Sequence, residues 1–592
     1  MSKKFDPFLL SVLSSRIDAI TQDMINTVIR TARSQVLNFA RDFSTALFDR
    51  YGKVIAAPHG IPIHCGNMGL MAEYLFSHPE GIHEGDLFLN NSPYHGNSHA
   101  ADYTFIAPVF NDGELMFFSV IKAHQADCGN SIPTTYNAWA TDVYNEGAII
   151  FPCVKIQENY EDVFDIVNIA KMRIRVPELW YGDFLAAQGS TRTAERQLKS
   201  MCKEYGNDTI KQFCTAYTDY AERLMLEEIQ KLEDKKVIHE FKFDEVPGFS
   251  DDILIHLEAW VDKEAGDIII DVTKNIDTLA WGLNLCESTT VAACRSGVMY
   301  HMPDIPAIDG AMDHIKVIMR KGCLLGKAEH PKSYSACTTN LASRTAGNVG
   351  VLFNKLKKET GMAEPNCNVS VSQGVYSGLD YRKNNDPYVN QFILGATGGP
   401  AVKGHDGWIN FCDAGNSGAC KWNSVELLEQ QYPVLIVQEE IIPDTIGSGQ
   451  WDSAPGVVFE CAAREAPYTA TYACDGGKNA PKGIAGGLDG HVNRAFRYKL
   501  AEGRESRVPR PVYSSEVLEP GDVMVGECCV AGGYGNPLDR DPEMVCLRVR
   551  EGWITEDYAK QTYGVVLDTS QELFKVKENE TKELREQMRN AG

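Results

Sequence analysis

Long apolar runs are missing from the 592-residue sequence: no window approaches the about 18 residues that cross a bilayer as a helix. The N-terminal Met1-Ser2-Lys3-Lys4 leads only into a short apolar stretch from Phe8 to Leu13, broken by Ser11 and followed by no small-residue cleavage site. That is too little for a signal peptide, so a soluble cytoplasmic protein is expected. Cationic residues are also scarce, with 57 Lys and Arg against 80 Asp and Glu, a formal charge of −23. A chain this acidic repels phosphate backbones and anionic lipid unless it concentrates a basic patch, and none is present; nucleic acid and membrane are excluded as partners. The seventeen cysteines contain no C-x-x-C spacing, and their only close pair is Cys528-Cys529. Zinc ribbons and thioredoxin-like redox centres need that spacing; seventeen thiols without it fit a reducing compartment and a role as small core hydrophobes. No G-x-x-x-x-G-K-[ST] occurs, and Gly476-Gly477-Lys478-Asn479 and Gly447-Ser448-Gly449 read as turns.

Hydrophobic residues make up 44% and charged residues 23%, the balance of a globular protein with a large core, and the length allows two to four domains at about 150 residues each. Asp6 and Pro7 open a helix whose Leu9, Val12, Leu13, Ile17, Ile20, Met24, Ile25 and Val28 recur at three- and four-residue steps. Two hairpins follow, around Arg50-Tyr51-Gly52-Lys53 and around Asn111-Asp112-Gly113, the second joining Tyr103–Phe110 to Glu114–Lys122. Glu195–Lys235 reads as helical, and further helices are expected around Thr278–Tyr300 and Leu341–Lys358, within a Gly-rich, strand-rich remainder. The expected fold is α+β, mixed helices and antiparallel hairpins and sheets in a large interlocked architecture. Residues 1–236 are expected to form a metal-site domain, 237–570 a strand-rich domain, and 571–592 a charged tail, helical or disordered.

The chemistry concentrates in Asn90-Asn91-Ser92-Pro93-Tyr94-His95-Gly96-Asn97-Ser98-His99-Ala100-Ala101-Asp102 and in Ala123-His124-Gln125-Ala126-Asp127-Cys128-Gly129. In an antiparallel hairpin the sum of opposed positions is constant, and a turn near residue 113 makes it about 226. Asp102 then faces His124 directly, with His99 just beyond the strand end, near enough to share one ion. Two neutral imidazoles and a carboxylate suit Zn²⁺, Mn²⁺ or Fe²⁺ with positions left open. Asp42, preceding a strand, is either a fourth ligand or a helix-terminus or arginine partner.

These stretches, with Arg41 to Asp49, Ile61-Pro62-Ile63-His64, Glu146-Gly147, Asn284, Asp304-Ile305-Pro306, Asp406-Gly407, Asn423 to Glu426, Tyr432-Pro433 and Pro443-Asp444, resemble the hydantoinase B/oxoprolinase family over nearly the whole chain. Its members include subunits of ATP-dependent hydantoinases, part of 5-oxoprolinase, caprolactamase, and subunits of acetone and acetophenone carboxylases. The resemblance implies a metal held by Asp42, His99, Asp102 and His124, most readily Zn or Mn, with Fe as an option. It implies a hydantoinase A-type partner that uses Mg-ATP to phosphorylate a carbonyl oxygen of a small-molecule substrate, in a heterotetramer or larger assembly. The chain departs from many members at Gly96-Asn97-Ser98-His99, where they read Gly-Gly-Thr-His, and at Ala123-His124-Gln125-Ala126-Asp127-Cys128-Gly129-Asn130, where they read His-His-x-Asp-x-Gly-Gly; the ligand positions survive.

Within that frame Asp127 orients the attacking water, supports a ligand imidazole, or caps the loop before Gly129. His64 and His95 are candidates to bind substrate or phosphate, against core or loop roles. The leading expectation is hydrolysis of a phosphate-activated cyclic amide. A ketone carboxylase using the same electrophilic ion is the alternative, and a non-catalytic scaffold with a structural metal is the third.

Overall fold

The computed structural model describes residues 5–591, apart from 247, 248, 250, 368, 369, 396, 397, 410, 571 and 572. Asp6 caps the first helix, α1 (Pro7–Thr31), by accepting from the Phe8 N–H at 2.9 Å, with Pro7 where a missing N–H costs nothing. Leu13, Ile17, Ile20, Met24 and Val28 are buried along one stripe. Val12, expected on that stripe, is 37% exposed, because its position is one residue, or 100°, off the line through Leu13.

After the short α2 (Gln35–Asn38), seven strands form the first sheet: β1 (Phe43–Asp49), β2 (Val54–Ala56), β3 (Leu87–Asn90), β4 (Asp102–Asn111), β5 (Glu114–His124), β6 (Val154–Glu158) and β7 (Glu161–Asp162). Their order is β2-β1-β5-β4-β3-β6-β7, all antiparallel. Strand alternation divides the side chains. Tyr103, Phe105, Ala107, Ile121 and Ala123 pack in one core with residues of α1 and of α7 (Pro177–Tyr205). Ile106, Phe118 and Val120 point to the other face, where α3 (Pro62–Cys65) and α4 (Leu70–Phe76) lie. The remaining helices here are α5 (Val143–Glu146), α6 (Phe164–Arg173) and α8 (Asn207–Ile229). The helical stretch expected from Glu195 thus begins at Pro177 and is cut in two at Gly206, whose φ of 82° only glycine adopts readily.

A second sheet follows, β8 (Val237–Phe243), β9 (Ile253–Asp262), β10 (Asp267–Asp271) and β11 (Ile315–Ile318), in the order β11-β10-β9-β8 with β10 and β11 parallel. Helices α9 (Glu287–Met299), α10 (Asp309–Met312) and α11 (Asn340–Phe353) accompany it, and every residue of α11 is buried. The helix expected from Thr278 starts at Glu287, because Cys286 and Thr289 form a capping box. Strands β12 (Val375–Asp380), β13 (Asp386–Gln391), β14 (Val434–Ile442), β15 (Gly456–Ala463), β16 (Tyr468–Ala473), β17 (Arg494–Lys499), β18 (Val508–Arg510), β19 (Tyr513–Leu518) and β20 (Asp522–Glu527) form two further sheets, with α12 (Val425–Gln431) beside them. The chain continues through α13 (Pro542–Arg550), α14 (Glu556–Tyr563), a small ribbon of β21 (Leu567–Asp568) and β22 (Lys575–Val576), and α15 (Glu578–Ala591), the charged tail helix.

The largest core cluster takes Ile61, Ile63, Tyr136 and Ala138 from the first part of the chain and packs them with residues of α8, α9, α11 and the second sheet, so the architecture is interlocked α+β. Arg540 anchors the C-terminal helices: its guanidinium grips Asp406 at 2.6–2.7 Å and lies 3.0 Å from Asp452, all buried or nearly so. No helix among the described residues is long and apolar enough to cross a membrane. All seventeen cysteines are buried, and none is in a disulfide among the described residues.

Candidate metal centre

The β4–β5 hairpin turns through Asp112 and Gly113, both at positive φ (52° and 77°), as a two-residue turn of the primed type requires. At its tip the opposed positions are Asn111 with Glu114 and Phe110 with Leu115; below a bulge at Met116, Val109 opposes Phe117. The bulge raises the sum of opposed positions from 225 to 226, which brings Asp102 opposite His124. Met116 and Phe117 consequently enter the same core cluster, as two successive residues at a bulge do. Strand β1 extends the pattern: Phe43 opposes Ala123, and the His124 N–H donates to the Asp42 carbonyl at 3.0 Å. Asp42, His124 and Asp102 therefore form one row across three strands, followed by the rows Ser44–Lys122–Thr104 and Ala46–Val120–Ile106. Asp42 is aimed by Arg41, which holds φ at 58°.

Donor atoms of His99, Asp102 and His124 lie within 4.8 Å of one another, and all three residues are buried. Asp102 Oδ1 is 2.9 Å from both His99 Nε2 and His124 Nδ1, while its Oδ2 accepts from Ser98 Oγ–H at 2.5 Å. His99 Nδ1 is 2.7 Å from the Ser335 carbonyl, which can only accept, so Nδ1 carries the hydrogen and Nε2 presents its lone pair to the cluster. Among the described residues, His124 Nε2 is buried without a hydrogen-bond partner. A buried, unpartnered imidazole nitrogen beside a nitrogen–oxygen–nitrogen donor set fits a divalent cation of the Zn, Mn or Fe type. Burial alone would raise the Asp102 carboxyl, but His99, His64 and His124 hold it well below the usual range. Burial likewise opposes charge on His99, and Asp102 overrides it, lifting the imidazole above its usual value.

Asp42 lies outside the three-residue cluster but lines the same cavity; burial, with Asp102 adding to it, pushes its carboxyl up to about 6. His64, from α3, lies beside the ligand set. Its Nε2 is 3.4 Å from Asp102 Oδ2 and 3.8 Å from Asp42 Oδ1, its Nδ1 is 3.1 Å from Ser44 Oγ, and burial pushes it down to about 3, so it is neutral. His95 is elsewhere, with Nδ1 on Ser92 Oγ at 2.8 Å and its ring edge-on to Tyr74. Asp127 also points away: its carboxylate accepts from the Gly129 and Arg175 N–H groups and pairs with the Arg175 guanidinium at 3.1 Å. Those are the contacts of a loop cap, the bland alternative for Asp127.

The cavity facing the cluster has a volume of about 50 Å³, and the remote residues that line it were not legible in the sequence. Tyr136 stacks within 5.5 Å of His124 and donates its hydroxyl to Gln391 Oε1 at 2.6 Å. Thr338 Oγ1 is 3.4 Å from His99 Nε2. A loop carrying Cys412 (φ 72°) and Ser417 (φ 50°) is pinned by Asp413, which accepts from Ser343 Oγ–H at 2.7 Å. Positive φ at non-glycine residues costs about 1–3 kcal/mol each, so Cys412 marks strained backbone in the cavity wall, and Arg41 and Ser417 mark it in the segments that lead to Asp42 and from Asn416. These residues come from segments far apart in the chain, and neither spacing nor periodicity marks them.

The family model for hydantoinase B/oxoprolinase matches residues 6–537. The chain is 27% identical to the caprolactamase subunit beta of Pseudomonas jessenii, over 96% of this chain and 97% of that one. It is 28% identical to the 5-oxoprolinase of Saccharomyces cerevisiae, over 90% of this chain but 42% of that protein. The crystal structure of the ATP-dependent caprolactamase from Pseudomonas jessenii superposes with a TM-score of 0.87 at 25% identity, covering 99% of this chain and 100% of that one.

Proposed function

The chain belongs to the hydantoinase B/oxoprolinase family, and from that premise we propose that it is the metal-binding subunit of an ATP-dependent, two-component enzyme that hydrolyses a cyclic amide. The observation that carries this reading is the convergence of His99, Asp102 and His124 on one buried point beside a small polar cavity. The subunit naming of the caprolactamase relative supports a second component, and a nucleotide-binding hydantoinase A-type chain is the partner that would phosphorylate the substrate's carbonyl oxygen.

In this chain His99, Asp102 and His124 would hold the cation, with Asp42 as the fourth donor from the other flank of His124. When bound, the cation supplies Lewis acidity toward the activated carbonyl. Ser335 fixes the His99 tautomer, Ser98 orients Asp102, and neutral His64 closes the back of the carboxylate row. The Tyr136 hydroxyl, whose hydrogen is committed to Gln391 Oε1, stays neutral at the cavity wall and offers an acceptor lone pair, because burial and the neighbouring Asp42 and Asp102 raise its pKa well above normal. Seventeen buried cysteines outside any disulfide support residence in a reducing cytoplasm.

The test is to assay the chain with its A-type partner and Mg-ATP against lactams and hydantoins, and in parallel against methyl ketones with bicarbonate. Ring opening without bicarbonate is the expected result. Turnover that depends strictly on bicarbonate would replace this reading with the carboxylase one, and turnover by the isolated chain would remove the division of labour.

A further inference from the structure

Glu146, the last residue of α5, is a buried carboxylate that touches none of the three clustered ligands, and no lysine or arginine forms an ion pair with it among the described residues. Asp142 starts the short helix by accepting from the Asn145 N–H at 2.8 Å, and Gly147 ends it at a φ of 77°. The helix is laid against a remote stretch of chain. The Val143 N–H donates to the Pro331 carbonyl at 2.8 Å, and Asp142 pairs with Lys332 as an isolated bridge. Glu146 then reaches 187 residues along the sequence, its Oε2 accepting from Ser333 Oγ–H at 2.6 Å. Burial pushes its carboxyl up, and the Ser333 hydroxyl, the charge of His99, the Ser335 hydroxyl and the Tyr334 N–H pull it back.

One carboxylate thus takes donors from three consecutive residues and fixes them as a unit. The Ser335 hydroxyl, its hydrogen given to Glu146, accepts from the Asn137 N–H at 3.0 Å, and Asn284 Nδ2 donates to the Ser333 carbonyl at 3.2 Å. The Ser335 carbonyl is held in this frame 2.7 Å from His99 Nδ1. A ligating imidazole commonly gives its second N–H to a carbonyl or a carboxylate. Here the two stand in series, the carbonyl in contact and the carboxylate behind it. The charge still reaches the ring: burial lowers His99, and Asp102, the Ser335 carbonyl and Glu146 each raise it. A clamp that only satisfied serine hydroxyls would need no charge, since a buried carboxylate is costly and an amide oxygen would accept the same hydrogens.

We propose that Glu146 is a positioning residue of the metal centre: by clamping Ser333, Tyr334 and Ser335 it holds the Ser335 carbonyl on His99 Nδ1, which keeps the lone pair of His99 Nε2 turned toward the cation. This rests on the metal reading of His99, Asp102 and His124, and two measurements on the full chain keep the two claims apart. The first uses the metal-free protein labelled with ¹⁵N-histidine at about pH 9, where an imidazole is neutral. His99, assigned by the signal that disappears in His99→Ala, should be a single Nδ1–H tautomer, and Glu146→Ala should mix the two tautomers. The second is a chelator-competition titration with Zn²⁺. Glu146→Ala should weaken binding by about 10–100-fold, and should cost nothing further when added to His99→Ala. Glu146→Gln, which keeps the length of the side chain and an acceptor oxygen, should move both readouts the same way by a smaller factor, and serves if the alanine variant does not fold. An unchanged tautomer in the Glu146 variants, or an equal loss of affinity on the His99→Ala background, would overturn the proposal. A parent chain that binds no Zn²⁺ would sink the metal reading, while the tautomer measurement would still decide whether Glu146 sets His99.

Discussion

Replacing Asp102 by Asn isolates the charge of the cluster while keeping its shape. The carboxylate has two 2.9 Å contacts to imidazole nitrogens, one 2.5 Å bond from Ser98 and a 3.4 Å approach to His64, all in a site without solvent exposure. The amide keeps an acceptor for the imidazoles, so two charge-assisted bonds of about 1.5–3 kcal/mol become neutral bonds of about 1 kcal/mol. The metal-free chain should lose about 1–4 kcal/mol and still fold. The cation suffers more. Two unit charges about 4 Å apart attract by about 4 kcal/mol at an effective dielectric of 20, so removing a negative charge at the shorter ligand distance from a divalent ion weakens binding by at least about a thousandfold. Elemental analysis of the purified protein and calorimetric titration with Mn²⁺ or Zn²⁺ measure this directly, with urea unfolding of the metal-free forms as the control. A variant that holds one equivalent of metal within tenfold of the parent affinity would show that the ion, if any, is bound elsewhere.

The pH dependence of the metal-free chain follows from the same pair. His99 is raised, so its contribution is full below its usual 6.5 and is lost as pH rises through the folded value; Asp102 is depressed, so its contribution is present above its usual 3.8 and is lost at lower pH. Stability from the pair should therefore peak between those values, while metal affinity climbs with pH as His99 gives up its proton, both readable by denaturant titration across pH 3–8. Arg540→Ala should destabilise the chain by about 3–5 kcal/mol, since it strands buried carboxylates. Asp406, held at about 2 by Arg540 against its own burial, should contribute stability above 3.8 that disappears as pH falls toward 2. Titration with an aromatic disulfide should find almost no reactive thiol in the native protein and seventeen in denaturant, because every cysteine is buried.

Local grammar made part of this protein legible. Asp6 and Pro7 start α1 and Asp112-Gly113 turns the hairpin, both set by neighbours in sequence, and the turn brings Asp102 to within one position of His124; the bulge at Met116 supplies the last step of register. The same arithmetic on β1, where Phe43 opposes Ala123, places Asp42 beside His124 as well. What stayed hidden depends on distant chain. Ser335 fixes a tautomer 236 residues away, and Gln391 holds Tyr136 across 255. Nothing in periodicity marks a serine whose backbone carbonyl does the work. Asp127 is a conspicuous acid near a ligand whose carboxylate is taken up by Arg175 and a glycine N–H, the loop-capping role that its place before Gly129 also allowed.

The bulge at Met116 makes the length of the hairpin tip a setting of the metal site. Between Phe110 and Met116 the chain counts one residue more on β5 than on β4, and that single extra residue decides which side of the sheet His124 and Lys122 occupy relative to Asp102 and Thr104. The turn must keep two residues, both able to hold positive φ. A one-residue insertion or deletion at the tip, more than 20 Å of strand from the cluster at about 3.3 Å per residue, would act as a frameshift in space, leaving every ligand in the sequence and turning His124 toward the helices.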